Sequence, residues 1–131
     1  MGNPVVHFEL IGPDPDALRA FYRELFGWDA APGAPVAPRI SDEASYSFVV
    51  PADEAGAAAG GIGGGPGFEA HAIFYVGVAD VRLALDDARR LGGTVALEPQ
   101  RNEAGGVAVG HFRDPAGNLV GVAGPLDPHT V

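Results

Sequence analysis

The sequence predicts an α+β domain of two similar halves, each running strand, helix, then three strands. Three observations carry this. VVHFELIG at 5–12 alternates His7, Glu9 and Ile11 with Phe8 and Leu10, the period of a strand, and a helical pattern follows directly. HAIFYVGV at 71–78 repeats such a strand, again followed by a helical pattern. The 131 residues are one domain's worth of chain, and a hydrophobic content of 47% suffices for a core.

In PDPDALRAFYRELFGW, Leu18, Phe21, Tyr22, Leu25 and Phe26 recur at helical spacing and form one apolar face. Asp14 can cap the N-terminus, Pro15 suits the first helical position, and Gly27 suits the position just past the end. Shorter extended pieces are expected at Trp28–Ala31, at YSFVVP (46–51) and at AAAGGI (57–62). The second half offers a helix over 80–93, with Asp80 as its cap and Val81, Ala84, Leu85, Ala88 and Leu91 as its apolar face. Arg89 and Arg90 suit the negative end of that helix dipole, and Gly92 stops it. TVALEP, GVAVGHF and NLVGVAG supply three further strands, the last two joined by the turn residues Arg113–Gly117.

The halves align with His7 against His71, Asp16 against Asp80 and, after a one-residue slip, Gly27 against Gly92, which indicates an internal repeat. The expected organisation is one domain over 1–131. Module one covers about 4–63, a glycine-rich linker 63–69, module two 70–125 and a tail 126–131. No lysine follows the linker glycines and no helix opens after them, so they read as a connection rather than a phosphate cradle. Pairing the open sheet faces of two βαβββ modules would make an open curved barrel around a cleft. His7, Glu9 and His71 would line it.

Composition narrows the chemistry. Without cysteine there are no disulfides, thiolate metal sites or cysteine nucleophiles. A formal charge of −9, with arginine as the only basic residue besides histidine, gives no footprint for nucleic acid and disfavours a polyanionic substrate. Neutral, cationic or weakly anionic small molecules remain as ligands. No apolar run approaches the roughly 20 residues of a membrane-spanning helix. Met1 opens onto GNPVVHFELIG without a basic, then apolar, leader, so a cytoplasmic location is expected.

The motifs HFELIG, DPDALRAFYRELFGW, HAIFYVGVADV, ALDDARRLGG and FRDPAGNLVGV, in this order and over most of the chain, resemble the vicinal oxygen chelate superfamily. This is the glyoxalase/bleomycin resistance/extradiol dioxygenase superfamily. Phe21-Tyr22 with Leu25-Phe26-Gly27-Trp28, and Asp114-Pro115-Ala116-Gly117-Asn118, are the most specific of these. The resemblance implies two βαβββ modules, a homodimer, a small-molecule ligand and, in the metal-dependent members, four ligands from the first and last strands of the two modules. His7 and His71 match the two first-strand positions. The last-strand positions, usually glutamate, hold Gly121 and the small or apolar residues around Gly60–Ile62.

A divalent metal (Zn, Fe, Ni or Mn) on His7 and His71 is therefore one expectation, and no cofactor is the other. Glu9 shares a face with His7 by strand alternation. The three would then form a two-histidine, one-carboxylate site with Glu9 as the catalytic candidate. The alternative gives Glu9 a hydrogen bond to a histidine or an arginine. Trp28, Tyr46, Phe48, Phe74 and Tyr75 are read either as aromatic walls for an organic ligand or as core. His111, near the hairpin, is assigned to solvent or the turn, and His129 to a surface tail. Two functions follow: metal-assisted lyase, isomerase or dioxygenase chemistry in the cleft, or metal-free sequestration of a small, antibiotic-type molecule. Glyoxalase I activity proper does not fit, because the glutamate ligands are missing.

Overall fold

A computed structural model describes residues 2–49, 57–101 and 107–126. They fall into two compact units, one of residues 7–72 and one of residues 1–6 with 73–131. The fold class is α+β, as predicted. Val50, Pro51, Gly106 and the tail with His129 lie outside the described residues.

The first unit holds β1 (Val5–Gly12, its first two residues belonging to the other unit), α1 (Pro15–Phe26), a 3-10 turn (Glu43–Ser45), β2 (Ser47–Val49) and β3 (Ala59–Gly64). Its strand order is β2-β3-β1, with β1 parallel and β2 antiparallel to β3. The parallel register sets Phe8 beside Gly60 and Glu9 beside Gly61. Glycines stand in β3 because side chains of neighbouring strands lie flat on it. A Cβ at Gly60 would collide with the Phe8 ring on one face, and a Cβ at Gly61 or Gly63 would collide with Tyr46 on the other.

The predicted caps of α1 are present. Asp14 accepts from the Ala17 N–H, Pro15 opens the helix, and Gly27 closes it in the left-handed region at φ 71°. The expected burial of its apolar face is only partly met. Leu18 faces Gly12 and Tyr22 stacks on Trp28, while Phe21, Leu25 and Phe26 stay 58%, 57% and 56% exposed. Trp28–Ala31 is no strand. A single bridge joins Pro32 to Ser47, since proline has no N–H to extend a ladder and Gly33 turns away at φ 102°. The linker also begins later than expected, because Gly63 and Gly64 pair with Ile11 and Gly12 and so complete β3.

The second unit holds β4 (His71–Gly77, from Ile73 onward), α2 (Val81–Arg90), β5 (Thr94–Arg101), β6 (Ala108–Arg113) and β7 (Leu119–Gly124), in the order β4-β7-β6-β5. The N-terminal segment belongs here: the Gly77 N–H donates to the Pro4 carbonyl at 2.8 Å. Asp80 caps α2 through the Leu83 N–H, and Val81 and Leu85 bury against Ala108 and Val122. Pro99 is accommodated because β5 is the last strand of this order. The β6–β7 hairpin is tied by Asp114, which accepts from Ala116 N, Asn118 N and Asn118 Nδ2, each at 2.9 Å. These hydrogen bonds hold its carboxyl below the usual carboxylate range.

The caps correct the internal alignment. Asp14 and Asp80 are the equivalent residues, rather than Asp16 and Asp80. With these caps aligned, Glu9 falls against Tyr75 and His7 against Ile73, two residues off the pairing of His7 with His71. Strand register agrees: Glu9 pairs with Gly61 on the last strand of its half, and Tyr75 with Gly121 on the last strand of the other.

Candidate functional site

Alternation places His7, Glu9 and Ile11 of β1 on the sheet face away from α1, with Tyr46 and Phe48 at and in β2 on the same face. Phe48, Gly61 and Glu9 form one cross-strand row. Because Gly61 has no side chain, the Tyr46 ring lies across it and reaches Glu9. The phenol donates to Glu9 Oε2 at 2.6 Å. His7 Nε2 lies 3.1 Å from the same hydroxyl oxygen. One tyrosine hydroxyl thus bridges a carboxylate and an imidazole.

Glu9 and Tyr46 are buried, at 4% and 3% exposure, whereas Phe48 is half exposed. Phe48 stands edge-on to both Tyr46 (5.8 Å) and His7 (6.4 Å), so two rings rim a polar floor. Burial, and after it the charge and hydrogen bond of Glu9, keep the Tyr46 phenol protonated far above its ordinary range. Burial lowers the His7 pKa, so its imidazole is neutral near pH 7. With the phenol proton committed to the carboxylate, the neutral imidazole donates through Nε2–H. The tautomer follows from the hydrogen bond.

The second unit carries a related arrangement. The ring of Tyr75 covers Gly121, where a Cβ would collide with it, and Tyr75 Oη lies 2.8 Å from His111 Nε2. This corrects the assignment of His111 to solvent, since it is buried and paired. A signal was present: the hairpin at Asp114–Gly117 fixes His111 opposite Gly121.

The other expected residues are dispersed. Trp28 packs against Phe8, Tyr22 and Phe26 at 5.2, 5.5 and 5.1 Å, on the helix side of the sheet and away from the Glu9 face. Phe74 alternates with Tyr75 and is partly exposed. His71 shares a hydrogen bond of 3.0 Å between its Nδ1 and the Glu69 carbonyl.

These residues do not fit a four-ligand metal centre of the family type. Gly61 and Gly121 offer no donor, and tyrosine rings occupy the space a side chain there would need. Among the described residues, no three His, Asp or Glu side chains gather as a metal site.

The profile of the Glyoxalase/Bleomycin resistance protein/Dioxygenase superfamily matches residues 5–122, and the chain belongs to that superfamily. Its fold is similar to that of methylmalonyl-CoA epimerase solved with methylmalonyl-CoA and ammonium, at 19% identity, TM-score 0.64, and 95% and 96% coverage of the two chains. A hypothetical protein from Bacillus halodurans C-125 matches at 13% identity and TM-score 0.66, with 97% of each chain covered. A superfamily member from Vibrio splendidus 12B01 matches at 16% identity and TM-score 0.58, covering 94% of this chain and 98% of that one. No curated protein matches the sequence. No helix among the described residues is long and apolar enough to cross a membrane.

Proposed function

We propose that this protein binds a small organic molecule on the face formed by His7, Glu9, Tyr46 and Phe48, and that it does so without the superfamily's four-ligand metal set. The observation that carries this is the Tyr46 hydroxyl held between Glu9 Oε2 and His7 Nε2 over Gly61. The half-exposed Phe48 ring and the polar floor of His7, Tyr46 and Glu9 beside it are the combination a polar organic ligand needs for burial and orientation. The Phe48 ring gives apolar contact, and the Tyr46–Glu9 pair fixes the polar floor before any ligand arrives. Glu9 and the neutral His7 imidazole are the groups on this face able to take a proton, so catalysis on a bound molecule would begin at one of them.

A second, metal-assisted reading rests on His71. Its Nδ1 faces a backbone carbonyl, the orientation that turns Nε2 outward in metal-ligating histidines.

The exposed Phe21, Leu25 and Phe26 of α1 support a homodimer as the working form. Light scattering behind a sizing column tests it, with Phe21→Glu/Leu25→Glu expected to give monomer.

Thermal unfolding with a panel of organic acids, amines and acyl-CoA thioesters, run beside elemental analysis, tests the main reading. Stabilisation of metal-free wild type that is lost in Phe48→Ala and Tyr46→Phe supports it. Stoichiometric metal that disappears in His7→Ala and His71→Ala would instead establish the metal-assisted form.

A further inference from the structure

A cavity lies on the opposite side of the sheet from the His7–Glu9–Tyr46–Phe48 face, between α1 and the segment after it. Its volume is about 500 Å3, and Asp16, Arg19, Arg23, Trp28, Asp29 and Pro32 line it. That is within the range of ligand sites, about 300–1,000 Å3. We propose that this cavity binds an aromatic carboxylate whose ring carries a hydroxyl or amino group.

The lining is built in layers. Arg19 is fixed: it donates to the Ser45 carbonyl at 2.7 Å and to Ser47 Oγ at 3.3 Å, and it pairs with Asp16. Its charge and that of Asp16 answer each other. Arg23, one helical turn further, has no partner among the described residues, and neither has Asp29. The cavity therefore presents one uncommitted guanidinium and one uncommitted carboxylate. A guanidinium fork matches a ligand carboxylate in two parallel hydrogen bonds. Asp29 would repel a bare anion, and a hydroxyl or amino hydrogen on the ligand turns it into an acceptor instead.

Trp28 supplies the aromatic part of the lining. Its indole is stacked on Tyr22 at an interplanar angle of 22° and held by Phe8 and Phe26, so its orientation is set without a ligand. An aromatic ligand ring can pack against it edge-on or offset, and the fixed indole lowers the entropic cost of that contact. The requirement of all three groups at once selects an aromatic acid bearing a donor.

Trp28 is the chain's only tryptophan and lines this cavity, so its fluorescence can report binding there, and the Arg23 and Asp29 variants assign the signal to the cavity. Titration with 4-hydroxybenzoate is expected to change its emission saturably. Affinity should fall about tenfold or more in Arg23→Gln. Benzoate should bind several-fold more weakly than 4-hydroxybenzoate, and Asp29→Asn should narrow that gap. Arg23 and Asp29 are exposed, so both variants should keep the wild-type circular dichroism. The proposal is overturned by no saturable change up to millimolar ligand, by equal affinity in Arg23→Gln, or by equal binding of 4-hydroxybenzyl alcohol, which lacks the carboxylate.

Discussion

Tyr46 donates its hydroxyl proton to Glu9 across 2.6 Å, from a ring that lies where Gly61 lacks a side chain. Everything on this face depends on that contact. It buries a carboxylate with a donor supplied, fixes the tautomer of His7, and fills the space in which a last-strand ligand would otherwise stand.

Removing the donor should therefore be costly. Tyr46→Phe takes one hydrogen bond from a buried carboxylate, which is worth about 1.5–3 kcal/mol. Urea unfolding should show a loss of this order, and Glu9→Gln combined with Tyr46→Phe should cost less than the two single changes added together. Strict additivity would mean that the two side chains are not coupled.

The lowered pKa of His7 makes a directional prediction about acid. Its folded pKa lies below the unfolded value near 6.5. Between the two, the unfolded chain binds the proton first. His7 thus contributes stability that is present above pH 6.5 and declines as pH falls through the window below it. Unfolding free energy measured from pH 7.5 down to pH 5 should drop more steeply in wild type than in His7→Gln.

Restoring a carboxylate to the last strand should not restore a metal centre. In Gly121→Glu the new Cβ meets the Tyr75 ring, an overpacking expected to cost about 1–3 kcal/mol. Melting temperature should fall, and titration with Co2+ should show no gain in binding over wild type. A variant that binds cobalt with unchanged stability would contradict the account of Gly121 as a seat for Tyr75.

The hairpin at Asp114 offers a test of local structure. Asp114→Ala removes three acceptors from the turn between β6 and β7 and should lower the melting temperature. The carboxyl of Asp114 titrates below its unfolded value, so its contribution is present above about pH 3.8 and is lost as pH falls through the lower, folded value. Melts at pH 7 and at pH 3 should differ less in the alanine variant.

Much of this was legible in the residues. Asp14, Pro15 and Gly27 announced α1, Asp80 announced α2, and Asp114–Gly117 announced the last hairpin, because caps and turns are local hydrogen-bond requirements. Glu9, His7 and Tyr46 each stand out in the sequence as candidates, whereas their connection does not. His111 reads from the sequence as facing solvent or the turn, since a residue near a turn says nothing about the ring packed beside it. The glycines of β3 read as a departure from the family, and partly as linker, where they are seats for aromatic rings.

The sequence by itself determined the class of fold, the order of its elements and the superfamily, since all three are written in periodicity, caps and turn motifs along the chain. Tertiary structure decided which side chains meet. The pairing of Glu9 with Tyr46, of Tyr75 with His111, and of Trp28 with Phe8 comes from strand register and from the face each residue occupies. Register depends on contacts between distant segments, and a shift of one residue would send the strand residues Phe8, Glu9, Tyr75 and His111 to the opposite face.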